Sequence, residues 1–260
     1  MSMISNVANI AACNQALNML GATNITVAGT TDQNHIYCTS VFDDARDEIL
    51  AAGRWNFAMK RGYALETTAP VFGYDEAFTK PTDSVKIWTI AQQQDAKFAV
   101  EGTLIVTDEG ETPADWVTGT TYVAGQYLTS DDTTAGTDLT YLVDTGFTST
   151  ATSETTDLSS YCTAQASNLS ALEVEYVYQR TDVDAWPVAP RQCLIINLAR
   201  MLAPSIKQNE EGSVSFQQML YGSSKITGYL DIARSQDSQE GGIMQMATNT
   251  LMNSRRSRRS

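Results

Sequence analysis

Apolar residues at the start of the chain recur twice at helical spacing. Val7, Ile10, Cys13, Leu17 and Leu20 follow one another at intervals of three and four, which aligns them on one face of a helix. Asn6 can accept a hydrogen bond from the free N–H groups of the first turn, and Gly21 suits the left-handed backbone that closes a helix. A second stripe, Cys38, Val41, Phe42, Ala45 and Ile49, leaves Asp43, Asp44, Arg46, Asp47 and Glu48 facing away and stops at Gly53. Trp55, Asn56 and Phe57 follow and set two large rings beside the helix ends. The pattern predicts an amphipathic helical hairpin that needs a partner surface.

Beyond Phe57 the period changes. Residues 59–65, 73–79 and 85–90 read as short strands, and 97–100 with 103–107 read as a hairpin around Glu101 and Gly102. Strict alternation returns only at 172–179, a half-buried strand. Residues 111–168 between them are rich in Thr, Ser, Asp and Gly, a composition that suits a disordered linker. Trp116, Tyr122, Val123, Tyr127, Leu128, Tyr141, Leu142, Val143 and Phe147 argue instead for a small folded β module. Helical pattern resumes near Pro190, which a first turn tolerates. Residues 192–202 are apolar nearly all round, as in a helix buried on several sides, and Pro204 is expected to kink or end it. One further helix begins near Ser213, with Phe216, Met219, Leu220, Ile226, Tyr229, Leu230 and Ala233 on one face. After Gln236 periodicity fades, and Gly241-Gly242 leads into a polar segment carrying Ile243, Met244, Met246, Leu251 and Met252. That segment reads as a tail ordered by a partner.

The expected architecture is therefore α+β. A bundle of about four helices packs with a small antiparallel β part, and an all-β module is inserted. The expected division is a core formed by residues 1–110 and 169–236, an inserted module at 111–168, and an extended tail at 237–260.

Three blocks of this chain carry a resemblance. They are Ala12, Ala16, Leu17, Asn18, Leu20 and Gly21; Asp43, Arg46, Asp47, Glu48, Ile49 and Leu50; and Arg54, Trp55, Asn56, Phe57 and Ala58. Their order and spacing resemble the start of the tail tubular protein A family, the head-to-tail adaptors of short-tailed bacteriophages. The likeness continues through Tyr63-Ala64-Leu65, then Pro81, Asp83 and Trp88, then Glu101, Gly102, Leu104 and Thr107. It resumes at Leu198, Ala199, Leu202, Ala203 and Pro204 and spans about two thirds of the chain. In that family the last strand follows the hairpin almost at once, which marks 111–168 as an insertion. The resemblance implies a virion protein at the head–tail junction, made in the host cytoplasm. It would form a twelve-fold homo-oligomeric ring beneath the portal protein, join it to the tubular nozzle of the tail and continue the DNA channel. It also implies that the C-terminal segment reaches the portal, which nominates Ile243, Met244, Met246, Leu251, Met252, Arg255, Arg256, Arg258 and Arg259 for docking. The four arginines could instead touch packaged DNA or form a simple basic end. Subunit contacts are expected at Asp43, Arg46 and Asp47. Within the insertion, Trp116 and Tyr122 sit in a W-x-x-x-x-x-Y-x-x-G pattern and Tyr141 in a following T-Y-L-V run, which together resemble small carbohydrate-binding modules. Exposed rings there would stack on sugars; otherwise they pack a core. Surface adhesion by such a module is the alternative function.

Charge sharpens the reading. The 260 residues carry a net charge of −13, and no Lys or Arg occurs from Phe98 through Gln179. A body this acidic excludes an ordinary DNA-binding surface, which needs clustered cations. It is compatible with a repelling wall along which DNA slides without sequence-specific binding, and equally with acidity that serves solubility. No apolar run reaches the ~20 residues of a membrane span, and the N-terminus has no secretory pattern, so a cytosolic product without a membrane partner is expected. Cys13, Cys38, Cys162 and Cys193 are widely spaced and suit buried thiols rather than disulfides or zinc.

Catalytic signatures are missing from the sequence. The lone His35 opens the second helix and reads as an exposed or capping residue. Asp43, Asp44, Asp47 and Glu48 splay around a helix and do not converge, which fits ion pairing with Arg46 better than acid–base work. Asp131-Asp132 reads as a solvated turn, with cation binding as the alternative. No enzyme activity, cofactor or metal is expected.

Overall fold

The helix signals act where the sequence puts them. Helix α1, Val7–Met19, starts at Asn6, whose side chain accepts from the Ala8 N–H at 3.1 Å. It ends at Gly21, which adopts φ 70°. Helix α2, Gln33–Ala52, is capped in the same way by Asp32, which accepts from the Asn34 N–H at 3.0 Å. These features come from a computed structural model that describes residues 6–26, 32–91, 96–130, 139–150, 154–165, 169–207, 211–224 and 226–240.

The chain divides into two compact units, Met1–Phe57 with Arg180–Ser260, and Ala58–Gln179. The first is helical and is built around α4, Val188–Lys207, which packs against α1, α2, α5 (Glu211–Tyr221) and α6 (Tyr229–Glu240). Four neighbours account for its all-round apolar surface: Leu194, Ile195, Ile196, Leu198 and Leu202 are all buried within the chain. Pro204 neither ends nor breaks α4, which runs on to Lys207. It lies in the last turn, where only one ladder hydrogen bond is lost.

The second unit contains strands β1 (Met59–Thr67), β2 (Glu76–Thr79), β3 (Ser84–Ile90), β4 (Phe98–Glu101), β5 (Leu104–Thr107) and β11 (Ala171–Tyr178). They form one antiparallel sheet in the order β3-β11-β1-β2-β5-β4. Strand β1 changes partner along its length. Residues from Met59 to Leu65 pair with β11, while Glu66 and Thr67 pair with β2. The sheet curls so far that it is nearly closed, like a barrel. Its interior is filled by Ala64, Phe78, Ile87, Ile90, Ile105, Leu172, Val174 and Tyr176.

Residues 111–168 contribute β6 (Thr121–Tyr122), β7 (Tyr127–Ser130), β8 (Leu139–Val143), β9 (Phe147–Thr148), α3 (Glu154–Tyr161) and β10 (Cys162–Ala164). Strands β10, β8 and β7 make a three-stranded sheet and β6 pairs with β9. Tyr122, Leu128, Val143, Phe147 and Leu158 share a hydrophobic cluster of their own.

This architecture corrects the expected one in three respects. The β part is not small: six strands form a barrel-like sheet with its own core. The insertion is not all-β, since α3 buries Leu158 in the cluster and Thr150 donates its N–H to Asp157 of that helix at 2.9 Å. The helices number six among the described residues, not about four. The single helix expected from Ser213 onward is two, α5 and α6, separated by a tight hairpin of β12 (Gly222–Ser223) and β13 (Ile226–Thr227). Gly222 has φ 83°, and a Cβ on Gly228 would lie 2.4 Å from the Leu220 carbonyl oxygen, so the reversal depends on these glycines.

Candidate assembly surfaces

The polar side of α2 folds inward more than its period suggests. Arg46 is buried, its side chain 1% exposed, and it donates to Asp43 at 2.9 Å and to Asp47 at 2.7 Å. Of the residues expected to meet a neighbouring subunit, Asp43 and Asp47 reach the surface, and Arg46 serves as their internal counter-charge. Pairing removes the isolated charge that burial would otherwise penalise.

Glu48, two residues on from Arg46, ties three helices. It accepts from Asn197 at 3.1 Å and Arg200 at 2.6 Å on α4, and from the Tyr221 hydroxyl on α5. Asn197 also donates to the Ala45 carbonyl at 3.0 Å, and Arg200 to Asn197 at 2.9 Å. Burial, and then the Glu48 hydrogen bond and charge, push the Tyr221 hydroxyl up to about 12, so it stays a proton donor. Sequence reasoning missed Asn197, Arg200 and Tyr221. The available signal was two polar residues three apart inside an otherwise apolar run.

The Arg54–Ala58 block forms the second joint. Trp55 is fully buried and donates from its indole to the Ile49 carbonyl at 2.7 Å. Asn56 is bound to Asp237 on α6. Phe57 lies 5.1 Å from Trp186, and its carbonyl accepts from Arg180 at 2.7 Å. A third joint lies in the barrel. Asp83 accepts from Lys60 on β1 at 2.7 Å and from the Tyr176 hydroxyl on β11 at 2.9 Å. Burial opposes ionisation of Asp83, but these two hydrogen bonds outweigh it and hold the carboxyl below its usual range.

In the insertion, Tyr122 is buried against Phe147 at 5.3 Å and its hydroxyl accepts from the Val117 N–H at 2.6 Å. Trp116 and Tyr141 are half-buried and pack on the same cluster. No free aromatic platform is formed by these three. His35 is buried in the first turn of α2. Among the described residues there is no group of His, Cys, Asp and Glu side chains that could hold a metal ion, and no helix long and apolar enough to cross a membrane. All four cysteines are free. Ile243, Met244, Met246, Leu251, Met252, Arg255, Arg256, Arg258 and Arg259 lie outside the described residues, as do Asp131, Asp132 and Gly241-Gly242.

Charge is divided as sharply as fold. Ala58–Gln179 holds 5 of the 17 basic and 18 of the 30 acidic side chains, giving −13, so the helical unit, with 12 of each, is neutral. Exposed large apolar side chains occur on both units. Val71 and Phe72 crown the turn between β1 and β2, while Met219, Ile226, Tyr229 and Ile232 surround the reversal between α5 and α6.

No family model matches the chain, and no curated protein matches it.

Proposed function

We propose that the protein is a structural virion component, a ring-forming head-to-tail adaptor that docks beneath the portal, joins it to the tail nozzle and continues the DNA channel. The observation that carries this reading is where the matched residues fall. Trp55, Asn56 and Phe57 make the joint between α2 and α6, and Glu48 links α2 to α4 and α5. Asp83 links β1 to β11 in the barrel. Residues that match the adaptor family in order and spacing are thus the ones whose side chains hold the units in shape, which supports a shared fold requirement over chance likeness.

Two further features support the reading. The apolar side chains left exposed on both units need a partner, and closed rings bury such surfaces through one repeated contact. The acidic barrel unit suits a passage for a polyanion, because repulsion keeps the nucleic acid from sticking. Docking on the portal is assigned to the C-terminal segment.

The test is electron microscopy of the purified chain mixed with the portal ring of the same virion. Class averages should show a coaxial particle with an added twelve-fold layer, lost when residues 241–260 are deleted. Portal rings that remain bare would reject the proposal. The sugar-binding alternative has less support, because Tyr122 is buried and Trp116 and Tyr141 are committed to the insertion's core.

A further inference from the structure

The turn between β1 and β2 ends in two bare apolar side chains. Val71 is 97% exposed and Phe72 88%. Its base is fixed, since the Asp75 N–H donates to the Asp108 carboxylate at 2.8 Å, and Gly73 takes φ 101°. Val and Phe held together in water on an anchored turn mark a contact point for another surface.

The root of the turn carries Glu66, Asp75, Glu76 and Asp108. These carboxylates crowd one another: after burial, the charges of Glu66, Asp75 and Asp108 hold the Glu76 carboxyl above its usual range. None of the four forms an ion pair among the described residues. A partner that suits this turn therefore joins apolar side chains to clustered cations. An anionic lipid surface would be repelled, and so would the same turn of another copy.

One stretch of the chain has that composition. Ile243, Met244, Met246, Leu251 and Met252 precede Arg255, Arg256, Arg258 and Arg259, and nowhere else do more than two cations fall within five residues. Unbranched Met side chains adapt to an irregular apolar surface, and guanidinium groups grip carboxylates with paired hydrogen bonds. Reach is sufficient as well. Helix α6 ends at Glu240, and residues 241–260 span up to about 66–72 Å when fully extended, enough to meet a neighbouring copy.

We propose that residues 243–259 of one copy seat on the Val71–Phe72 turn of the next, apolar residues against the two side chains and arginines against the carboxylates at its root. The inference rests on the ring-forming reading above, which supplies the neighbour. Each copy offers one arm and one turn, so the contact is heterologous and repeats from copy to copy. The portal contact assigned to the same segment is then made by an arm already held by the neighbouring copy.

The experiment uses the full chain carrying the photoreactive substitution Phe72→p-benzoylphenylalanine. That position is exposed, so the variant should melt like the wild type. It is irradiated alone and with the portal ring present, and the products are separated by denaturing electrophoresis and mapped by mass spectrometry. Covalent dimers and higher multimers should form, with position 72 joined to residues 241–260. Adding Arg255→Gln, Arg256→Gln, Arg258→Gln and Arg259→Gln to the same chain should lower their yield about tenfold. Cross-links that map elsewhere, stay within one chain or reach only the portal overturn this contact and leave the adaptor reading standing. A glutamine variant that cross-links like its parent does the same, as do assembled rings with no cross-link at position 72. A chain that stays monomeric with and without the portal sinks both.

Discussion

Asn56 and Asp237 hold each other across 181 positions of sequence. The Asn56 backbone N–H donates to both carboxylate oxygens of Asp237, at 3.1 and 3.0 Å, and the Asn56 side chain donates to the Asp237 backbone carbonyl at 2.6 Å. Asp237 is buried and Asn56 is exposed, so the chain leaving α2 is fastened to α6 by a charge-assisted bond at the rim of the helical unit. Replacing Asp237 by Ala should lower the unfolding free energy by about 1–2 kcal/mol, since it removes a charge-assisted hydrogen bond while the N–H of the exposed Asn56 can turn to water. Asp237→Asn, which keeps an acceptor oxygen, should cost less. Urea titration of the three proteins by circular dichroism measures both.

The barrel joint predicts a pH dependence. The folded-state pKa of Asp83 is depressed, so its contribution is complete above the unfolded value and disappears as pH falls through the folded one. Lys60 and Asp83 are 50% and 37% exposed, and solvent screening limits the effect to about 1 kcal/mol or less. Asp83→Asn should melt below the wild type at pH 7, and the two should converge near pH ~2, below the carboxylate range. A gap unchanged with pH would show that packing, not charge, holds this joint.

Glu76 has the opposite sign. Burial, and then the negative charge of Glu66, hold its carboxyl above the usual range. The ionised form therefore weakens the barrel at neutral pH, and that penalty fades as pH falls through the folded-state value towards the unfolded one. Glu76→Gln should raise the melting temperature at pH 7 and lose this advantage near pH ~4. Differential scanning calorimetry at both pH values decides.

At the α5–α6 reversal, a methyl group on Gly228 would lie 2.4 Å from the Leu220 carbonyl oxygen and 2.5 Å from the Gly222 nitrogen. Both are backbone atoms that cannot swing aside. Gly228→Ala should therefore destabilise the helical unit by about 1–3 kcal/mol, whereas Ser223→Ala in the same hairpin should be nearly neutral. Thermal melts of the two variants provide the comparison.

These elements show which parts of the fold a sequence makes legible. Helix α1 was readable because its stripe, its Asn6 cap and its Gly21 exit all act within one or two turns. Helix α4 was readable as a helix covered on several sides because few polar residues interrupt its apolar run. The break between α5 and α6 was not, since apolar residues go on recurring at short intervals across the hairpin and Leu230 falls near the helical phase of Phe216 and Leu220. The barrel was hidden for a different reason. Strand β1 pairs with β11 more than a hundred residues away, and no local period records that pairing. Phase alone places Arg46 outward, and the flanking carboxylates of Asp43 and Asp47 make its burial tolerable. Val71 and Phe72 carry no local sign of their exposure, because two apolar residues beside a strand look like its start.

The most direct test of the adaptor reading is the mass of the purified full chain by static light scattering, alone and after mixing with the portal ring. The account predicts one discrete large particle whose added mass corresponds to a closed ring of copies of this 28.3 kDa chain. A solution that remains monomeric and leaves the mass of the portal ring unchanged would contradict it.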